Sequence, residues 1–178
     1  MARTHLALCL LLAAPALLGV ACANPPDVIH VPFSIPVQVA GGLSGGGGGS
    51  LPGAGSELSR EIGDQGVDES DVDSVTVSEL TLTHDSPSCE LLAGCDLSFI
   101  ESLVLSASAS GQPTVELGRL TRPGAVKRAD LQPAEVELKA YLGGGDLAFT
   151  ATLVPATTPL QTVEMTLDAV LRVDIDLF

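Results

Sequence analysis

The stretch VIHVPFSIPVQV, residues 28–39, carries the pattern that decides the fold. Its apolar side chains recur at every second position, which is the period of a β-strand with one buried face. These side chains are Val31, Phe33, Ile35, Val37 and Val39. Pro32 and Pro36 fall on the opposite phase. Since proline cannot donate a hydrogen bond to a ladder, we expect this strand to lie at a sheet edge or to pair on one side only.

The same period returns along the rest of the chain. Alternating segments, separated by turn residues, occupy residues 75–83, 97–108, 114–120, 146–154 and 162–178. No long amphipathic helix interrupts them. About seven to eight short antiparallel strands at this spacing predict an all-β fold, and a β-sandwich rather than a barrel.

A glycine-rich segment follows the first strand. Residues 41–55 read GGLSGGGGGSLPGAG, a low-complexity composition that predicts a disordered loop. Ser56 could then cap a helix, because Glu57, Leu58 and Ile62 follow at helical spacing. The sequence therefore predicts a short helix near 56–65, within a single β-sandwich domain that spans residues 28–178.

Residues 1–22 have the form of a bacterial export signal. Arg3 supplies a positive start, and residues 6–20 form an apolar run that is too short for a convincing transmembrane helix. The end of this run, Gly19-Val20-Ala21-Cys22, resembles a bacterial lipobox, although Gly19 stands where that motif usually has leucine. The resemblance implies that Cys22 becomes lipidated and anchors the chain to a membrane.

The residues after Cys22 bear on the anchor and on its destination. Residues 23–27 are interpreted as a tether, because Asn24-Pro25-Pro26 is typical of a linker. By resemblance to sorting rules in Gram-negative bacteria, Ala23 implies the outer membrane. The alternative is ordinary cleavage after Ala23, which would release a secreted or periplasmic domain that begins at Asn24.

Two further cysteines, Cys89 and Cys95, lie six positions apart in SCELLAGC, residues 88–95. An exported protein meets an oxidising compartment, so we expect a disulfide that closes a short loop. Zinc sites would need two more ligands nearby, and redox pairs favour Cys-x-x-Cys.

The central region resembles uncharacterised bacterial envelope lipoproteins. The resemblance rests on residues 95–105 (CDLSFIESLVL), on residues 111–117 (GQPTVEL), which begin with a Pro-containing turn, and on residues 137–142 (ELKAYL). It would cover most of residues 27–178, and it implies an immunoglobulin-like sandwich without any catalytic residue to carry over.

Charge and composition limit the function. The formal net charge of −14 disfavours nucleic-acid binding and electrostatic docking on anionic lipid. Seven acids and one base lie within residues 57–73, which is either a solvated segment or a calcium site. The basic residues Arg119, Arg122, Lys127 and Arg128 belong either to a solvated loop or to a contact for an acidic partner.

No residue pattern indicates catalysis, a metal centre or a cofactor. We therefore expect a non-catalytic cell-envelope lipoprotein, not an enzyme, that acts as a structural or protein-interaction module. We expect no small-molecule ligand. Two alternatives remain: a secreted hydrolase or lipid-handling accessory with a pocket between the sheets, and a calcium-dependent adhesion module that uses residues 64–73.

Overall fold

The computed structural model describes residues 27–42, 46–84, 96–142 and 146–176. Within these ranges the chain forms nine β-strands, two α-helices and a 3₁₀ turn at Glu69–Asp71. The elements, in chain order, are β1 Val28–Val39, β2 Gly47–Leu51, α1 Ala54–Asp64, β3 Val72–His84, β4 Ile100–Ser108, β5 Val115–Thr121, β6 Arg128–Asp130, β7 Gln132–Pro133, α2 Lys139–Leu142, β8 Ala148–Pro155 and β9 Val163–Ile175.

The strands of the described residues form one antiparallel sheet in the order β6-β3-β9-β1-β2-β8-β4-β5-β7. Strand β9 lies between β1 and β3 and pairs with both along most of its length. The prediction of an all-β antiparallel fold is confirmed. The division into two sheets, which a sandwich requires, is not confirmed, because the described strands are linked into a single sheet.

Residues 128–134 bring the two ends of this sheet together. Strand β6 pairs with β3, and β7 pairs with β5. Between them, the backbone N–H of Leu131 donates to the carbonyl oxygen of Leu80 at 2.9 Å. One short segment, which contains the terminal strands β6 and β7, thus connects β3 with β5, and the sheet is nearly barrel-shaped.

Aliphatic side chains fill the space that this sheet encloses. Alternate residues of β9, from Met165 to Ile175, face inward and are buried, whereas its acidic residues lie on the outward phase. Leu103 and Leu105 of β4 and Leu153 of β8 are also fully buried. The period-two pattern therefore identifies the core, and burial of this apolar surface is the main stabilising contribution to the fold.

Helix α1 confirms the predicted short helix near 56–65, although it begins two residues earlier. Gly53 precedes it with a φ of 73°, a left-handed conformation that glycine adopts without strain. The hydroxyl of Ser56 donates to the carbonyl oxygen of Gly53 at 2.7 Å, so Ser56 lies inside the first turn and does not cap it. The apolar stripe Ala54, Leu58 and Ile62 is buried.

The prediction of a disordered loop over residues 41–55 is wrong for residues 47–51, which form β2, and for residues 54–55, which begin α1. Glycine is required in β2 because its neighbours approach closely. A Cβ on Gly48 would lie 2.6 Å from the carbonyl oxygen of Ala151, and one on Gly49 would collide with the carbonyl oxygen of Pro36. Here the low-complexity composition reflects tight strand packing.

Candidate functional site

The residues assigned a chemical role from the sequence lie outside the described part of the chain. Cys22 belongs to residues 1–26, and Cys89 and Cys95 belong to residues 85–95. Lipidation and the disulfide therefore remain predictions.

The acidic segment, residues 57–73, spans α1, the 3₁₀ turn and the start of β3. Its carboxylates are spread over an exposed surface, and the hydroxyl of Ser59 donates to Glu69. Among the described residues, no three His, Cys, Asp or Glu side chains converge as a metal site would require. The calcium interpretation thus lacks a ligand set in this segment.

The basic residues are also dispersed. Arg119 lies in β5 and pairs with Glu116 at 2.6 Å, while Arg122 pairs with Glu101 at the same distance. The hydrogen bond from Arg122 lowers the pKa of the Glu101 carboxyl below its usual range. Two of the four bases thus have acidic partners within their own surface, which weakens the case for an acidic binding partner at this position.

A cavity of about 100 Å³ lies between β1 and α1, and we call it the β1–α1 cavity. Its lining is mostly apolar, and it includes Val31 and Phe33 of β1 and Leu58 of α1. Phe33 stacks on Phe149 of β8, with ring centroids 4.5 Å apart and an interplanar angle of 12°. Leu51, the last residue of β2, also lines the cavity.

Three exposed residues mark where this cavity meets solvent: Pro32 of β1, and Glu57 and Arg60 of α1. Glu61 is half-buried beside them. The cavity thus has an apolar floor and a charged rim with two carboxylates against one guanidinium. Such a pocket accepts one apolar side chain and disfavours an acidic one.

One edge of β1 is open beside this cavity. The backbone N–H of Ile175 donates to the carbonyl oxygen of Asp27 at 3.0 Å, which fixes the phase of the β1–β9 ladder. Along an antiparallel ladder, the backbone N–H and C=O groups of successive residues point to opposite sides of the strand. The backbone groups of odd-numbered residues of β1 therefore bond to β9, and those of even-numbered residues point away from β9. On that other side, β1 pairs with β2 only at Gln38 opposite Gly48.

The even-numbered residues near the cavity therefore have no strand neighbour within the described residues. We define the open edge of β1 as the backbone N–H and C=O groups of His30 and Ser34 with the C=O of Pro32. All three residues are exposed. Both prolines of β1 are even-numbered, so neither removes a bond from the β9 ladder. The predicted position of β1 at a sheet edge is wrong, because β1 lies between β9 and β2. Its pairing with β2 is confined to Gln38 opposite Gly48, so residues 30–34 pair with β9 alone.

The charges are unevenly distributed around the sheet. Residues 28–56, 102–115 and 147–163 contain no Asp, Glu, Lys or Arg, and they include β1, β2, β8 and nearly all of β4. These four strands are consecutive in the sheet. We call the following outward-facing residues of these strands the uncharged wall: Ser34, Pro36, Gln38, Gly48, Ser50, Ser102, Val104, Ser106, Thr150, Thr152 and Val154.

Charged strands border this wall on both sides. Strand β9 presents Glu164, Asp168 and Arg172 next to β1, and β5 presents the Glu116–Arg119 pair next to β4. An uncharged surface of this extent is unexpected on a chain with a net charge of −14. The sequence does not reveal this surface, because the four strands are neighbours only in the folded sheet.

No helix in the described ranges has the length and apolar character needed to cross a membrane.

Comparisons with known proteins add no identity. No family model matches the chain, and no curated protein matches it. A solved structure titled "Desmodium yellow mottle tymovirus" aligns over 100% of this chain and 97% of that chain, with 16% identity and a TM-score of 0.34. At this TM-score the alignment supports no statement about fold or function.

Proposed function

We propose that the chain is a non-catalytic interaction module of the bacterial cell envelope, held at the outer membrane by a lipid on Cys22. The uncharged wall is the observation that carries the proposal of an interaction module. Protein-binding surfaces are depleted in charge at their centres, and charged residues surround them. The wall has this distribution, with β9 and β5 as its charged borders.

The core supports a binding role over the alternative of a hydrolase or lipid-handling accessory. Large aliphatic side chains from opposite sides of the sheet, among them Leu103, Leu153 and Leu167, are fully buried in the interior. A buried acyl chain or substrate would need that volume. Contacts are therefore proposed on the outer surface of the sheet.

The anchor and the contact surface need separate experiments. For the anchor, the N-terminal peptide of the chain from bacterial membranes is analysed by mass spectrometry, and we expect diacyl or triacyl modification of Cys22. An unmodified peptide that starts at Asn24, recovered from the soluble fraction, would contradict the anchor.

For the contact surface, a photo-crosslinking amino acid is placed at Thr152, in the centre of the wall, and at Glu79, which is exposed on β3. Glu79 serves as the matched control because β3 lies across the sheet from the wall. We expect discrete crosslinked products in intact cells from position 152 and none from position 79. Equal crosslinking from both positions, or none from either, would refute the interaction role of the wall.

A further inference from the structure

We propose that the partner contributes an extended peptide segment, which adds to the open edge of β1 as a further strand. The inference rests on the proposed interaction function and specifies its partner. Strand addition uses main-chain hydrogen bonds for affinity and pockets for alternate side chains for specificity. The open edge and the β1–α1 cavity supply these two elements next to each other.

The hydrogen-bonding groups of this edge are countable. His30 and Ser34 each present an N–H and a C=O, and Pro32 presents a C=O, so the edge offers two donors and three acceptors. Among the described strands, only β2 pairs with β1 on this side, and it ends at Leu51. A peptide that aligns with residues 30–34 would therefore continue the sheet beyond the end of β2.

The cavity lies on the inward side of that added strand. Val31 and Phe33, which line it, are the inward-facing neighbours of the edge residues. Because side chains alternate along a strand, every second side chain of the peptide would point toward the cavity. A volume of about 100 Å³ with an apolar floor selects one aliphatic side chain at that position.

Charge further restricts the peptide. The rim carries Glu57 and Glu61 against Arg60, and the whole chain has a net charge of −14. Basic residues that flank the aliphatic one are therefore favoured.

A second copy of this chain fits the edge poorly. If two copies paired β1 with β1 about a twofold axis at Pro32, the two prolines would oppose each other, and neither could donate. Two chains of this net charge also repel each other. The geometry thus favours a peptide from a different protein.

The probe is the capped heptapeptide KTTLTTK. In an extended strand its central leucine faces the cavity, and both lysines lie on the opposite face. Binding to the full chain is followed by amide hydrogen exchange with NMR detection. In the free protein, the amides of His30 and Ser34 should exchange at least about 100-fold faster than those of Val31 and Phe33, which bond to β9. Peptide should protect the first two amides and leave the others unchanged.

Two variants at one position isolate the backbone contribution. Ser34→Pro removes the backbone N–H of the edge and leaves the hydrogen bonds between β1 and β9 intact. Pro32 and Pro36 occupy equivalent positions in the native strand. Ser34→Ala retains the donor, and it loses only the 2.6 Å hydrogen bond from the Ser34 hydroxyl to Asp168. We expect Ser34→Ala to bind the heptapeptide as the native chain does, and Ser34→Pro to bind at least about tenfold more weakly.

The same measurement gives the outcomes that would overturn the inference. These are no protection of His30 and Ser34 at about 1 mM heptapeptide, equal affinity in both Ser34 variants, or equal affinity for KTTDTTK, in which aspartate replaces the inward leucine. Crosslinking at Thr152 does not depend on this edge. If crosslinking there succeeds and the heptapeptide fails, the interaction function stands and strand addition is wrong.

Discussion

Replacement of Gly49 by alanine tests whether β2 packs between β1 and β8. The added Cβ would collide with the carbonyl oxygen of Pro36, a backbone atom that can move only if β1 and β2 separate. Overpacking of this kind destabilises a protein by about 1–3 kcal/mol. Loss of glycine freedom in the unfolded chain offsets about 0.4–1 kcal/mol of that cost. We therefore expect Gly49→Ala to lower the free energy of unfolding by about 1–2 kcal/mol.

Gly63 of α1 provides the matched control. A Cβ at this position meets no atom within 4 Å, and Gly63 is helical. Because alanine exceeds glycine in helix propensity by about 0.8–1 kcal/mol in a helix interior, Gly63→Ala near the end of α1 should stabilise the fold by up to about 1 kcal/mol. The same chemical change is thus expected to have opposite signs at the two positions.

Urea unfolding, monitored by far-ultraviolet circular dichroism, measures both variants. At this chain length, a loss of about 1–2 kcal/mol corresponds to a midpoint roughly 2–8 °C lower in a thermal scan. If the free energy of unfolding of Gly49→Ala lies within about 0.3 kcal/mol of the native value, β2 does not pack closely against β1. An effect that small is typical of a substitution on an unpacked surface.

Three further predictions address the core, a buried hydroxyl and the pH dependence. Leu103 is 0% exposed, so Leu103→Ala should reduce the free energy of unfolding by about 2–5 kcal/mol. Leu160 is 97% exposed, so Leu160→Ala should change it by less than about 0.5 kcal/mol. Similar values for the two variants would contradict the proposed core. Tyr141→Phe removes the 2.8 Å hydrogen bond to the carbonyl oxygen of Pro113 and should cost about 1–2 kcal/mol in urea unfolding, whereas no change would mean that this bond does not form. The pKa of Asp174 is lowered, mainly by the hydrogen bond from Arg172, so the stability it contributes is present above the unfolded-state pKa and is lost as pH falls through the folded-state pKa. The free energy of unfolding of Asp174→Asn should therefore fall less between pH 7 and pH 3 than that of the native chain. An equal fall in both proteins would refute this linkage.

The sequence predicts those parts of the fold that follow from local periodicity. The alternation in residues 162–178 places Leu167, Leu171 and Val173 on the buried face of β9, and it leaves the acids outside. The helical spacing of Leu58 and Ile62 likewise predicts α1. In both segments one apolar face must be buried, so the period alone identifies the element.

Features that depend on distant segments could not be predicted. The glycines of β2 carry no side-chain pattern, and their role follows from Pro36 and Ala151, which lie next to them only in the sheet. Strands β6 and β7 are too short for periodicity to reveal, although they join the two ends of the sheet. The β1–α1 cavity combines residues from five elements, so no local motif marks it.

The prolines of β1 link its local sequence to the proposed site. A strand that extended β2 alongside residues 30–36 would find no N–H at Pro32 or Pro36, so this side of β1 forms a weak ladder with any regular neighbour. Beyond the end of β2, the β1–α1 cavity lies next to Phe33. An edge interrupted by proline is also protected against indiscriminate pairing. Only a peptide that gains additional contacts in the cavity would bind, and this requirement would give the open edge selectivity for its partner.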